Sequence, residues 1–189
     1  IGKFVAQGEN YVARLSIVGF ISEDRERSKA IEKLISEDDV SAVIVRINSP
    51  GGTTTGSEQI YHDLRRLAVL KPVVAVIGTI GASGGYIVAI AADHIVARAT
   101  SITGSIGVLF QAAEFTGLME KIGIKPLTLK SSTLKGQPSP LEPVTEEVRN
   151  ALTILIADSF DWFSGLVQQR RNLDDTMLEA ATDGRIYSG

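Results

Sequence analysis

The amino-acid sequence predicts an α/β fold in which a mostly parallel sheet is threaded by crossover helices. Two observations carry this: short β-branched runs alternate with helical patterns, and two of the central runs end in glycine-rich turns. Residues 11–17, 42–47, 73–77, 94–97 and 126–129 are the predicted strands. Between the first two, Ala30, Ile31, Leu34 and Ile35 share one face of a helix whose other face is charged. Ile60, Leu64 and Leu67 repeat that spacing after the second strand. Residues 43–45 and 73–77 are apolar without alternation, the pattern of strands covered on both faces. The last third differs. Residues 130–143 are rich in Ser, Pro and Gly and read as a loop; a long helix is expected over about 145–171, with acids in its first turn and Arg170 and Arg171 in its last. A shorter helix is expected over 174–181. The 189 residues are expected to form one domain, with 140–189 as a C-terminal helical extension, because a chain of this size buries roughly 70% of its unfolded surface in a single core.

Composition excludes several function classes. With 44% hydrophobic and 22% charged residues the chain has the makeup of a folded domain. Its 19 basic and 22 acidic residues give a formal charge of −3, and the basic ones are dispersed, so no nucleic-acid partner is expected. There is no cysteine, which removes disulfides, thiolate ligands and a cysteine nucleophile. Only His62 and His94 offer imidazole, neither in an HExxH pattern, and no metal site is expected. The longest apolar stretch, about nine residues at 84–92, is far shorter than the ~20 that span a bilayer. The chain opens at Ile1 without Met and reads as an excised piece, which leaves room for a targeting or anchoring segment upstream.

The segment Gly81-Ala82-Ser83-Gly84-Gly85-Tyr86 fits G-x-S-x-G, in which glycines allow a sharp strand-to-helix turn that exposes a serine hydroxyl at a helix N-terminus. There the dipole and free amides favour a developing anion. The bland alternative is a serine that only caps the helix. Asn48-Ser49-Pro50-Gly51-Gly52 closes the preceding strand, so both turns are expected at the carboxyl edge of the sheet, where open α/β sheets bind ligands. Amides of Gly51 or Gly52, with that of Gly84, suit an oxyanion hole. A serine nucleophile needs a base. His94 follows Ser83 too closely and starts the next strand, and His62 lies within a helix facing solvent, so a Ser-His-Asp triad is disfavoured. Lysine is the remaining base, and spacing alone leaves Lys121, Lys125, Lys130 and Lys135 as candidates, the last two in one loop.

Taken together, Asn48-Ser-Pro-Gly-Gly52, Ala82-Ser-Gly-Gly-Tyr86, Thr103-Gly-Ser-Ile-Gly107, the Lys135 loop ending in Ser139-Pro140 and Asp183-Gly-Arg185 resemble the signal peptide peptidase A family of Ser-Lys proteases, on the ClpP/crotonase-like fold. The resemblance runs over nearly the whole chain. It implies Ser83 as nucleophile, Lys135 as general base and Ser105 as a helper hydrogen-bonded to the lysine amine. It further implies no cofactor, peptide substrates such as residual signal peptides, and a homo-oligomeric ring or dome. It also implies an upstream anchor in the bacterial cytoplasmic membrane, with the protease domain on the extracytoplasmic side. Some members complete each dyad between neighbouring copies.

Two rivals have their own signatures. An acyl-CoA hydratase or isomerase on the same fold needs acids at the pocket, and neither glycine turn holds Asp or Glu. A non-catalytic scaffold would carry a vestigial serine and lysine. Of the remaining residues, Tyr86 is expected to line the pocket beside the serine or to pack, Phe160, Trp162 and Phe163 to serve as core or subunit contacts, and Arg185 to sit on the surface after a turn.

Overall fold

The structure, a computed structural model, describes residues 2–5 and 10–189. Strands β1 (Gly2–Val5), β2 (Tyr11–Ile21), β3 (Val40–Gly52), β4 (Val73–Ala82), β5 (His94–Ala97), β6 (Ile102–Gly104) and β7 (Ile186–Ser188) form one sheet in the order β1-β2-β3-β4-β6-β7, with β5 beside the first half of β4. Every interior pairing is parallel; only the outer strands β1 and β7 run antiparallel to their neighbours. Helices α1 (Arg25–Ser36), α2 (Thr54–Leu70) and α3 (Gly84–Ile90) make the crossovers, followed by α4 (Thr116–Lys121), α5 (Glu146–Arg171) and α6 (Asp175–Ala181). The predicted α/β class is the observed one.

The chain divides into two compact units, one formed by the described residues up to Gly107 together with Trp162–Gly189, the other by Val108–Asp161. In the first unit, side chains at the predicted helical spacings become the core: Ile31 and Leu34 from α1, and Ile60, Leu64 and Leu67 from α2, are buried with Val43, Val45, Ile47, Ala75 and Ile77 of the sheet. Asp24 caps α1 by accepting from the amides of Glu26 and Arg27, and Thr53 caps α2 by accepting from that of Gly56. Phe163 and Val167 of α5 join this core. Arg170 then donates to the carbonyls of Ile90 (2.8 Å) and Ala92 (2.9 Å), so a basic residue read as a dipole partner satisfies carbonyls at the exit of α3.

Two expectations fail. Strands β3 and β4 are not covered on both faces: their burial alternates, because α1, α2 and α3 all lie on one side. On the opposite face Arg14, Arg46 and Arg98 line a concavity of about 390 Å³ together with Ile44, Val76 and Val96. Aliphatic stems of arginine shelter apolar floor while the heads stay in water, which lets a run of β-branched residues tolerate an open face. The second failure is 126–129, which forms no strand; Leu127 and Leu129 are 85% and 88% exposed. Strand preference is a fit to a half-buried pleated surface, and within this unit no strand pairs with the segment. The second unit is held by few buried apolar groups, Met119 and Val148, and by polar ties in its loop, where Lys130 and Gln137 both bind the Glu142 carboxylate.

Candidate active site

β3 and β4 end side by side, with Ser49 in register with Gly81, so the two glycine turns meet at the carboxyl edge of the sheet. Gly51 has φ +112, and a Cβ on it would lie 2.8 Å from the Gly84 nitrogen and 3.0 Å from the Ser83 Cβ. A Cβ on Gly52 would lie 1.9 Å from the Ile21 carbonyl oxygen, and one on Gly84 2.2 Å from the Ser57 hydroxyl. Both turns approach so closely that no side chain fits between them. The Gly51 amide is occupied, donating to Ser49 Oγ (3.1 Å), and that hydroxyl donates in turn to Gly19 O (2.6 Å). Ser49 is fully buried and organises the loop.

Ser83 is half-buried, with φ 52 and ψ −121, a backbone conformation costing about 1–3 kcal/mol for a non-glycine residue. Its amide donates to Gly104 O (2.9 Å), and its carbonyl accepts from the amides of Tyr86 (2.8 Å) and Ile87 (3.0 Å). Its hydroxyl makes no capping hydrogen bond, which removes the capping alternative. The last pairing of β4 with β6 is Ala82↔Gly104, so Ser83 and Ser105 each follow directly after it in their own segments, and Ser105 also has positive φ (51). Tyr86, one turn into α3, is half-buried and walls an apolar pocket of about 440 Å³ with Ile106, Leu173, Met177 and Tyr187. Burial pushes its phenol above the ordinary tyrosine range, with Arg171 acting weakly the other way.

The histidines stand away from this edge. His94 is in register with Val74, nine residues before Ser83, on the order of 30 Å back along the sheet at ~3.3 Å per residue. His62 is exposed on α2, 3.7 Å from Glu58. Among the lysines left open by spacing, Lys130 is tied to Glu142, whose carboxyl it holds below the usual carboxylate range. Lys135 is exposed in the second unit, its amide donating to Ser132 O (3.2 Å), and its ammonium has no acidic partner among the described residues. Lys121 and Lys125 are exposed as well.

Sequence reasoning missed β6, β7 and their hold on the serines. Three-residue strands fall below any periodicity signal, though the glycines of Thr103-Gly-Ser-Ile-Gly107 mark the close approach: a Cβ on Gly104 would lie 2.6 Å from the Tyr187 ring. Arg185 is exposed and paired with Asp183, as expected of a turn residue, but its carbonyl is not idle: it accepts from the Ser105 amide (2.7 Å).

A serine at positive φ between a parallel strand and a helix N-terminus, with two glycine turns pressed together beside it, has the form of a nucleophile elbow in an α/β protein. The fold is that of ClpP: a ClpP1 mutant from Listeria monocytogenes superposes with TM-score 0.57 at 15% identity, over 93% of this chain and 82% of the other. The chain belongs to peptidase family S49, whose model matches residues 65–189. A protein from Synechocystis named as a protease is 36% identical over all of this chain and 69% of its own length. Another from Methanocaldococcus jannaschii, also named as a protease, is 38% identical over 84% of this chain and 51% of its own. A relative from Enterococcus faecium named as the signal peptide peptidase SppA is 32% identical over 84% of this chain. The chain thus spans only about half of the archaeal relative (51%) and 46% of the enterococcal one.

Proposed function

We propose that this chain is the catalytic region of a serine endopeptidase working through a Ser83–Lys135 dyad. The observation that carries the reading is the uncapped Ser83 hydroxyl, held at positive φ where the turns of Gly51-Gly52 and Gly84 meet. Ser83 Oγ attacks the peptide carbonyl carbon as its proton passes to the neutral Lys135 amine. The carbonyl oxygen becomes an oxyanion received by the amides of Gly84 and Gly52. Gly51, whose amide is engaged by Ser49, contributes its backbone shape instead. The C–N bond then breaks, Lys135 returns the proton to the leaving amine, and water hydrolyses the acyl-enzyme. Ser105 hydrogen-bonds the lysine amine. Every step uses side chains and amides of this chain and no cofactor.

Lysine serves as a base only after losing a proton, and burial is what favours the neutral amine. Lys135 is exposed in the single chain, so we assign its burial to assembly: a homo-oligomer in which the loop carrying Lys135 meets Ser83 of a neighbouring copy. Exposed Ile154 and Leu155 on α5 make the 140–189 extension a contact surface for that assembly within a single catalytic domain. Substrates are residual signal peptides and other unfolded apolar segments, in line with the printed name of the enterococcal relative. No helix among the described residues is long and apolar enough to cross a membrane; attachment to the bacterial cytoplasmic membrane, with the catalytic region outside the cytoplasm, is assigned to chain beyond this sequence.

Ser83→Ala should abolish hydrolysis of a fluorogenic apolar peptide and leave the melting temperature unchanged, whereas a variant retaining more than a trace of activity removes Ser83 from the mechanism. Mixing inactive Ser83→Ala and inactive Lys135→Ala proteins, dissociating and reassociating them, should restore partial activity if the dyad is shared between copies. Mixed oligomers that stay inactive place both residues in one chain.

A further inference from the structure

The motif Asp183-Gly184-Arg185 and the strand after it take no part in the chemistry above, yet their backbone reaches the serine turn. Ser83 donates its amide to Gly104 O, and Ser105 donates its amide to Arg185 O. β6 is itself held by β7, with Thr103 opposite Tyr187 and Gly104 opposite Ile186. Three consecutive features then lock this patch. Gly104 has φ +78 with the Tyr187 ring where a Cβ would be; the Tyr187 hydroxyl donates to Ala180 O (2.8 Å), fastening β7 to α6; and Gly184, at φ +84, lies with its Cα 3.8 Å from a Cβ built on Gly107. Beyond the strand, the Gly189 amide donates to Ser101 O (2.9 Å), and Ser101, 1% exposed, donates to Gly78 O (2.6 Å) in β4.

Ser83 and Ser105 both sit in backbone conformations that non-glycine residues adopt only when their surroundings impose them. Ser83 is flanked by β3, α3 and β6, and the Ser105 amide is held from 183–187 by the Arg185 carbonyl. We infer that residues 183–187 are a positioning strap for the two serines, with Tyr187 as its principal side chain: its ring shapes the Gly104 turn, whose carbonyl holds Ser83, while the adjoining Arg185 carbonyl holds Ser105. Asp183 stabilises the strap's turn by accepting from the Arg185 amide (3.0 Å) and pairing with its guanidinium. The strap touches no substrate atom in this role; it acts through the placement of the serines, and its effect on rate rests on the nucleophile reading above.

The test compares wild type, Tyr187→Ala, Tyr187→Phe and Gly184→Ala in their assembled form. A small fluorophosphonate reports the acylation rate of Ser83 without engaging an extended peptide, and amide hydrogen exchange reports the Ser83 and Ser105 amides directly. Tyr187→Ala should slow labelling ~10-fold or more, the scale expected when a reacting group is misplaced, and should speed exchange at both amides while that of Val45 in mid-β3 is unchanged. Tyr187→Phe keeps the ring on Gly104 and should restore labelling to near the wild-type rate. Gly184→Ala adds a Cβ to open space, so it strains only the turn; it should move labelling and exchange in the same direction and decides the matter if Tyr187→Ala fails to fold. Wild-type labelling and wild-type exchange in Tyr187→Ala, or in Gly184→Ala where that variant decides, would overturn the strap. If the wild type itself is not labelled at Ser83, the nucleophile reading falls, and exchange at the two amides still decides whether the strap holds them.

Discussion

The unit carrying Ser83 and the unit carrying Lys135 are built to different standards. In the first, α1, α2, α3 and the end of α5 close a continuous core over one face of the sheet, and even its buried carboxylate is answered: Asp63, 2% exposed, accepts from Ser28 (2.8 Å), Gln59 and Arg66 (2.9 Å). In the second, Met119 and Val148 are buried while Leu109, Leu118, Ile122, Ile124, Leu127 and Leu129 are more than half exposed. A soluble chain seldom shows so many large apolar side chains in one short segment unless something covers them. The difference teaches that Ser83 is held in place by the packing of its own unit, whereas Lys135 lies in a segment that buries few apolar side chains of its own.

The strongest way to break that contrast is at Lys135. Lys135→Ala should reduce peptide hydrolysis by about 10²–10⁴-fold, the usual worth of a general base, while stability stays within ~0.5 kcal/mol, because an exposed lysine with no acidic partner among the described residues holds little together. A large loss of stability, read by denaturant unfolding, would show that the loop is structural after all. Next comes a pair of truncations. Phe163→Ala, in the first unit's core, should cost about 3–5 kcal/mol, whereas Leu129→Ala should leave single-chain stability nearly unchanged and weaken self-association in sedimentation velocity. Equal costs at the two sites would erase the distinction.

The smallest effect sharpens the pocket side of the comparison. Burial disfavours the Tyr86 phenolate, so the folded chain keeps that proton to higher pH than the unfolded one. The resulting stabilisation is complete below about pH 10, the ordinary tyrosine value, and is lost as pH rises through the folded value. Tyr86→Phe should flatten the alkaline fall in melting temperature above pH 10 and leave it unchanged near neutrality. An unaltered alkaline slope would mean the phenol is solvated.

Legibility in the sequence followed the same divide. The first unit's helices were readable because their apolar spacing answers to a core within the chain, and the meeting of the two glycine turns was readable because only glycine tolerates the contacts made at Gly51, Gly52 and Gly84. Residues 126–129 misled for the opposite reason: Leu-Thr-Leu alternates as a strand does, but no strand within the unit pairs with it. The open face of the sheet was hidden because arginine stems shelter apolar residues without changing the β-branched pattern. The strap was unreadable because it works through backbone carbonyls, and the Arg185 carbonyl carries no trace of side-chain identity.

The central claim is most directly tested by mapping the adduct of a fluorophosphonate on the assembled protein by mass spectrometry, in wild type and in Lys135→Ala. A single modification at Ser83, formed rapidly in wild type and only slowly without Lys135, is the predicted result. Modification at another serine, or equal labelling of Ser83 in the two proteins, would contradict it.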